Sequence, residues 1–422
     1  MKIIFLYPDS CEYAYPKYLD KNLDFDLFDQ EIMCYTDLEV RYLQGMHELG
    51  HECTLLYPRR FRMKVKSFIH RGGYKIIRFP VNFFKGNMGK EYSFKMLRFL
   101  KKEKPDLVHF QGIYGAGKFF FIRFFIVTVL YCKWNKIPIF GWYHIGLNNQ
   151  GKRERNLSKF SLFKWFFHQL RTKPIDLCNG ITSINHSELF RLFDSKHPEY
   201  YGYSFKQKNY KLTPNTVNRK LFYPVAKDLA FEKTGLDKSK RYLIMVSRLF
   251  EQKGLHLILQ VFPDLILKYP NIHLLVVGEF IEEALEYKIR IENYIQTNSL
   301  EKYVTFLGRI EHHQGLVYYL NVSEVFVLPT YKDSFAAVNI EAIACGIPVI
   351  SSDTEEIPYY LNDGVGILIP PRDEQALGIA IDKVLSGEFK PDPIKQQEIV
   401  NRYDYLSAAK SLIDWYKEVL KK

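Results

Sequence analysis

Tyr242-Leu-Ile-Met-Val-Ser247 is an unbroken apolar run, followed by Arg248-Leu-Phe-Glu-Gln-Lys-Gly254 and then by a helical pattern over 255–268. A run without polar alternation is a strand covered on both faces, which implies a parallel sheet with helical crossovers. The same unit repeats in both directions. Downstream runs at 272–277, 303–307, 324–328, 348–351 and 366–369 alternate with helical patterns near 281–297, 312–321, 336–344 and 373–386. Upstream runs lie at 2–7, 52–57, 74–80, 106–110, 137–143, 180–185 and 210–213, with helices expected near 35–49, 91–103, 116–135 and 157–171. Two such sets predict two doubly wound α/β domains. A length of 422 residues, too great for one compact core, agrees. Pro214–Asp237, with Pro224 and Gly235, reads as the linker, and a last amphipathic helix is expected over 405–421.

Composition excludes several classes. With 47% hydrophobic and 25% charged residues the chain is neither disordered nor a disulfide mini-scaffold. The six cysteines are scattered and show no zinc spacing, so reduced thiols and a cytoplasmic location are expected. The apolar run Phe119–Cys132 contains Arg123 and is too short to span a bilayer; it is expected to be a buried helix. Net charge is +12, unevenly spread: residues 1–222 carry 37 Lys and Arg against 19 Asp and Glu, whereas the rest carries 22 against 28. A basic front half and an acidic rear half imply two domains with different partners. No nucleic-acid-binding pattern accompanies the charge, so nucleic acid is not an expected partner.

In open parallel sheets ligands bind beyond the carboxyl ends of the strands. In the rear half those ends carry Ser247-Arg248, Gly278-Glu279, Gly308-Arg309 and Pro329–Asp333. Arg248 and Lys253 put two cations on one loop, able to grip a diphosphate with an Arg fork and a Lys point charge; two solvated surface charges are the plain alternative. Asp333-Ser-Phe-Ala-Ala-Val338 leads into a helix expected to begin near Phe335–Ala336, whose outward N–H groups at Ala336, Ala337 and Val338 would bind an anion. Glu341, about two turns inside, could accept from a vicinal diol. A capping Asp333 and a salt-bridged Glu341 are the structural alternative.

From this point a resemblance extends over residues 210–420. Ser247-Arg248 with Lys253-Gly254, Phe306-Leu-Gly-Arg-Ile310, Val325-Phe-Val-Leu-Pro329, Asp333 to Glu341 with Gly346-Ile-Pro-Val349, and Asp363-Gly-Val-Gly-Ile-Leu-Ile-Pro-Pro371 form an ordered series. That series resembles the family-4 (group 1) glycosyltransferases of GT-B fold. The resemblance implies two Rossmann-like domains facing a central cleft, residues 1–218 binding acceptor and 219–402 binding nucleotide sugar, with helix 403–422 returning to the first. It also implies that Arg248 and Lys253 neutralise the leaving diphosphate, that Glu341 holds the ribose, and that Asp333 meets the donor sugar. Ser334, Phe335, Ala336, Ala337, Val338, Gly278, Gly308, Arg309 and Ile310 would complete the donor site. Asp333 stands where the family has a glutamate, one methylene longer.

The first domain resembles the family more thinly. Pro105-Asp-Leu-Val-His109 is similar to one of its strands, and Tyr143-His144-Ile-Gly146 to its His-Gly turn near the sugar, which makes His144 a candidate catalytic residue. The family's Gly-Gly loop is replaced by a long insert, residues 8–34. Asp24-Phe-Asp26 within it has a metal-type spacing but no further ligands, and no metal or cofactor is expected. Residues 59–104 carry fifteen Lys and Arg against two Glu, and residues 152–173 interleave seven basic residues with Phe160, Phe163, Trp165, Phe166 and Phe167. Such segments suit an anionic membrane surface, with the protein peripheral on its cytoplasmic face.

The expected activity is retaining, metal-independent transfer of a hexose-type sugar from a UDP- or GDP-linked donor to a lipid-linked glycan or glycolipid. A nucleotide-sugar 2-epimerase of the same fold, or a catalytically degenerate glycan-binding subunit, are the alternatives.

Overall fold

A computed structural model describes residues 1–6, 38–59, 66–70, 72–80, 94–114, 119–144, 175–186, 209–310, 315–362 and 364–421. The Asp24-Phe-Asp26 insert, the basic-aromatic block 152–173 and parts of segment 59–104 lie outside the described residues. The chain divides into two compact units, Met1–Pro214 with Tyr405–Lys422, and Asn215–Asp404.

The first unit is built on β1 (Lys2–Leu6), β2 (Glu52–Arg59), β3 (Lys66–Ile69), β4 (Lys75–Pro80), β5 (Leu107–Tyr114), β6 (Ile139–His144), β7 (Gly180–Ser183) and β8 (Tyr210–Leu212). They form one sheet in the order β3-β4-β2-β1-β5-β6-β7-β8. The pairings are parallel except β3 with β4, which is antiparallel. Alternation along β1 shows why the apolar run is unbroken. Ile3 and Phe5 enter one core cluster and Ile4 and Leu6 another, one on each face of the sheet.

Helices α1 (Leu38–Glu48), α2 (Phe94–Glu103) and α3 (Phe119–Trp134) supply the crossovers. The helix expected over 119–132 is present, but its described part is buried on one face only. Phe125, Val129 and Cys132 are buried, but Val127, Leu130 and Trp134 are exposed, because the helix forms an outer layer with only one face on the sheet. Among the described residues no helix is long and apolar enough to cross a membrane.

The second unit holds β9 (Arg241–Val246), β10 (Ile272–Val277), β11 (Val304–Gly308), β12 (Ser323–Leu328), β13 (Val349–Ser352) and β14 (Ile367–Ile369). The sheet is parallel, in the order β11-β10-β9-β12-β13-β14. The strand order reverses between β9 and β12, which is the switch point where open sheets bind ligands. Its helices are α4 (Lys227–Thr234), α5 (Leu255–Lys268), α6 (Leu285–Thr297), α7 (Leu316–Val322), α8 (Ala337–Ala344), α9 (Glu374–Leu385) and α10 (Pro393–Arg402). Asp373 caps α9 through Ala376 N, and Asp392 caps α10 ahead of Pro393 at its first position.

Much of the stretch read as a linker belongs to this second unit. Asn321 Oδ1 accepts from Val225 N at 2.8 Å and Asn321 Nδ2 donates to Tyr223 O at 3.1 Å, so α4 starts from a tethered chain. Pro224 and Gly235 mark the two ends of that helix rather than a flexible connection. The unit's own ends meet where Val217 N donates to Tyr403 O at 2.8 Å. Beyond it α11 (Tyr405–Lys421) rejoins the first unit, where Leu412, Ile413 and Tyr416 enter the core beside Leu43 and Met46 of α1. Tyr405 Oη donates to the Glu48 carboxylate at 2.9 Å.

Candidate active site

Four strand ends lie side by side in the second unit and carry the residues singled out above. Their packing explains two glycines. At the end of β10, Gly278 has φ 130°, and a Cβ there would come within 1.8 Å of the Ser247 carbonyl oxygen. Its N–H donates to Gly308 O at 2.7 Å, tying the ends of β10 and β11. At Gly254, φ 78°, a Cβ would fall 2.2 Å from Pro329 O, so only glycine lets the loop after β9 meet the loop after β12.

Between those loops sits an ion pair. The Lys253 ammonium bonds Asp333 Oδ2, and both side chains are nearly buried, 16% and 14% exposed. Asp333 Oδ1 accepts from Phe335 N at 3.2 Å and from Ala336 N at 2.9 Å. Burial works to raise the Asp333 carboxyl. The Lys253 charge and the two backbone donors outweigh it and hold the acid below the usual carboxylate range. The capping reading of Asp333 holds: it caps the start of α8, and its other oxygen pairs with the loop lysine.

This corrects one expectation. The N–H of Ala336 does not face outward for an anion but is held by Asp333. Ala336 itself adopts φ 52°, left-handed for a residue with a Cβ, and α8 starts one residue later. The N–H groups of Ala337 and Val338 have no intrahelical acceptor, as at any helix start. The Phe335 side chain is also withdrawn from a binding role: it is buried against Tyr360 and Tyr403, with ring centroids 5.3 and 5.4 Å away. Ser334 is half-buried at the loop's end, and Glu341 lies in the second turn of α8, 2% exposed.

Arg248 is exposed; its guanidinium lies 5.8 Å from the Phe250 ring centroid, and among the described residues it has no carboxylate partner. Gly308, Arg309 and Ile310 are partly exposed where β11 ends, and space around Gly308 is open. His144 ends β6 in the first unit, paired with Tyr114; its side chain lies outside the described residues. Among the described residues no group of three or more His, Cys, Asp or Glu could hold a metal ion.

Sequence reasoning missed the residues that fasten the two loops. Gln252 O accepts from Tyr331 N at 2.8 Å and from Thr330 Oγ1 at 3.1 Å, while Gln252 Nε2 donates to Lys332 O at 2.9 Å. Tyr360 Oη donates to Phe335 O at 2.5 Å and accepts from Asn339 Nδ2 at 3.0 Å, pinning the strained start of α8. These are contacts between residues far apart in sequence, and no local pattern announces them.

Residues 226–403 match the family model described as glycosyl transferases group 1. The phosphatidyl-myo-inositol mannosyltransferase of Mycobacterium leprae is 29% identical over 172 residues, 40% of this chain and 44% of that protein. The chain spans about half the length of the curated relatives it matches. Sucrose-phosphate synthase from Thermosynechococcus elongatus superposes with a TM-score of 0.65 at 18% identity, over 100% of both chains. The Anabaena protein HepE in complex with UDP superposes with a TM-score of 0.67 at 14% identity, over 99% of this chain and 100% of that one. The structural likenesses establish the architecture as GT-B, and the sequence match adds that residues 226–403 are similar to the group 1 glycosyl transferases.

Proposed function

We propose that this protein is a glycosyltransferase that uses a nucleoside-diphosphate sugar, retains the anomeric configuration and needs no metal. The observation that carries the reading is the Lys253–Asp333 pair at the switch point of the second sheet, with the exposed guanidinium of Arg248 on the same loop. A departing diphosphate gathers negative charge as the glycosidic bond breaks. Arg248 can meet it with a planar fork and Lys253 with a point charge. Asp333 stays ionised beside Lys253 and fixes where that ammonium points. Fixed charges aimed at a developing anion supply much of the rate acceleration in many such reactions. The resemblance adds Glu341 for the nucleotide ribose, Asp333 for the sugar hydroxyls and His144 for the sugar or acceptor.

The donor is UDP- or GDP-linked; the UDP named in the HepE structure favours the former. The acceptor is a lipid-linked glycan or glycolipid, in keeping with the phosphatidyl-myo-inositol of the mycobacterial relative's name. The basic first half suits an anionic bilayer on whose cytoplasmic face the protein would work.

NMR of the protein with a panel of nucleotide sugars and lipid-linked acceptors tests this. Transfer with retained anomeric configuration, unaffected by chelator, is the expected result. Conversion of donor without acceptor would indicate an epimerase instead. Flotation with anionic vesicles tests the membrane part: protein left at the bottom of the gradient removes it.

A further inference from the structure

His256 stands in the first turn of α5, two residues beyond Gly254, and its imidazole joins three segments. Nδ1 lies 3.0 Å from Tyr287 Oη, in the first turn of α6, and Nε2 is hydrogen-bonded to Tyr331 Oη, on the loop after β12. The His256 backbone N–H also reaches Tyr287 Oη, at 3.2 Å. Both rings stand edge-on to the imidazole, at 89°. Tyr331 is held from its other sides as well: its N–H donates to Gln252 O, and the Arg372 guanidinium lies 4.5 Å from its ring centroid.

One tautomer satisfies this arrangement. The buried Tyr287 hydroxyl accepts the His256 backbone N–H, and among the described residues its own hydrogen has no acceptor but Nδ1, so it donates there. Nε2 then carries the hydrogen and donates to Tyr331 Oη. The imidazole is thus needed neutral, with one acceptor and one donor. A second proton, on Nδ1, would remove the acceptor of the Tyr287 hydroxyl.

The geometry points to His256 as a positioning residue that, in its neutral form, locks the loop Thr330–Asp333 against the loop Glu251–Gly254 and thereby sets the Lys253–Asp333 pair. This rests on the reading of that pair as part of the donor site. Tyr331 is two residues before Asp333, and His256 is three after Lys253, so the imidazole closes a small ring of contacts around the pair. The sequence did not single out His256, and none of the roles assigned above involves it. Charged and titratable groups around the imidazole are Tyr287 and Arg290 from α6, Glu251 from the loop, and Tyr331 and Arg372. Burial pushes the imidazole below its ordinary range; Glu251 opposes the shift and Arg290 adds to it. Glu251 and Arg290 are themselves paired at 2.8 Å, so their effects largely offset each other.

The test compares wild type, His256→Phe and His256→Gln by hydrogen exchange and by donor turnover against pH. His256→Phe is expected to speed exchange in the peptide covering 330–336 and to lower kcat about tenfold, with KM for the nucleotide sugar little changed, because sub-ångström misplacement of charged groups costs turnover. His256→Gln keeps one donor and one acceptor and should recover most of kcat. Wild type should lose kcat on the acid side of the ordinary imidazole range, since burial keeps the ring neutral to lower pH than a free histidine, and His256→Gln should lack that acid limb. Unchanged exchange in 330–336 with His256→Phe, or an acid limb that persists in His256→Gln, overturns the inference. A wild type that transfers no sugar at all overturns instead the reading of the donor site, and exchange in 330–336 then decides the loop lock by itself.

Discussion

Lys253 and Asp333, eighty positions apart in sequence, form a nearly buried ion pair between the loops that follow β9 and β12. The carboxylate of the pair also caps the start of α8. One contact therefore joins the lysine loop, the strained turn at Ala336 and the helix that carries Glu341.

Replacing Lys253 by Ala should have two effects. Transfer should fall by about 100-fold or more, because a charge aimed at the leaving group is lost. Stability of the second unit should fall by about 3 kcal/mol, because Asp333 is left charged and enclosed without its partner. The double variant Lys253→Ala/Asp333→Asn should regain part of that stability but none of the turnover. Urea unfolding and a sugar-transfer assay, run on the same preparations, check both.

Two glycines separate close packing from backbone conformation. Gly278→Ala forces a methyl group into the Ser247 carbonyl and should cost about 3 kcal/mol. Gly308→Ala meets no atom within 4 Å and is penalised only for a left-handed φ of 66°, about 1 kcal/mol. Denaturation midpoints of the two variants give the comparison.

The first unit should lose stability in mild acid through His109. Its ring is buried between Tyr416 of α11 and Thr182 Oγ1, and burial pushes the imidazole down to about 3. The unfolded chain binds a proton near pH 6.5 while the folded unit does not. Stability is therefore full above that pH and falls as pH drops toward 3, by about 1.4 kcal/mol per pH unit. His109→Gln removes this slope. The difference between wild type and variant in denaturant titrations at pH 6 and pH 5 isolates it from the other histidines. An identical slope in the two proteins would mean that His109 does not titrate this way.

The central strands were legible because they are buried on both faces, as the full burial of Ile272–Val277 illustrates. The same logic hid β3: Lys66-Ser-Phe-Ile69 is a short edge strand next to β4, with no apolar run to mark it. Helix α4 escaped because Ala230 is its one buried residue, so no apolar stripe rises above Pro224 and Gly235. In the candidate site, the placement of Arg248, Lys253 and Asp333 on loops after strands was legible from the sequence. The Asp333 cap was visible only as an alternative to a binding role; the carboxylate uses one oxygen for the cap and the other for Lys253. His256, Tyr287 and Tyr331 were not legible at all, since the partners of His256 lie 31 and 75 positions away and no spacing rule links them.

Isothermal titration of the protein with UDP, GDP and ADP tests most directly whether the rear unit is built to hold a diphosphate. One of these nucleotides should bind with measurable heat, and Arg248→Ala should weaken that binding at least about tenfold, the loss of one charge-assisted contact. Absence of heat with all three nucleotides, or equal affinity in Arg248→Ala, would contradict it.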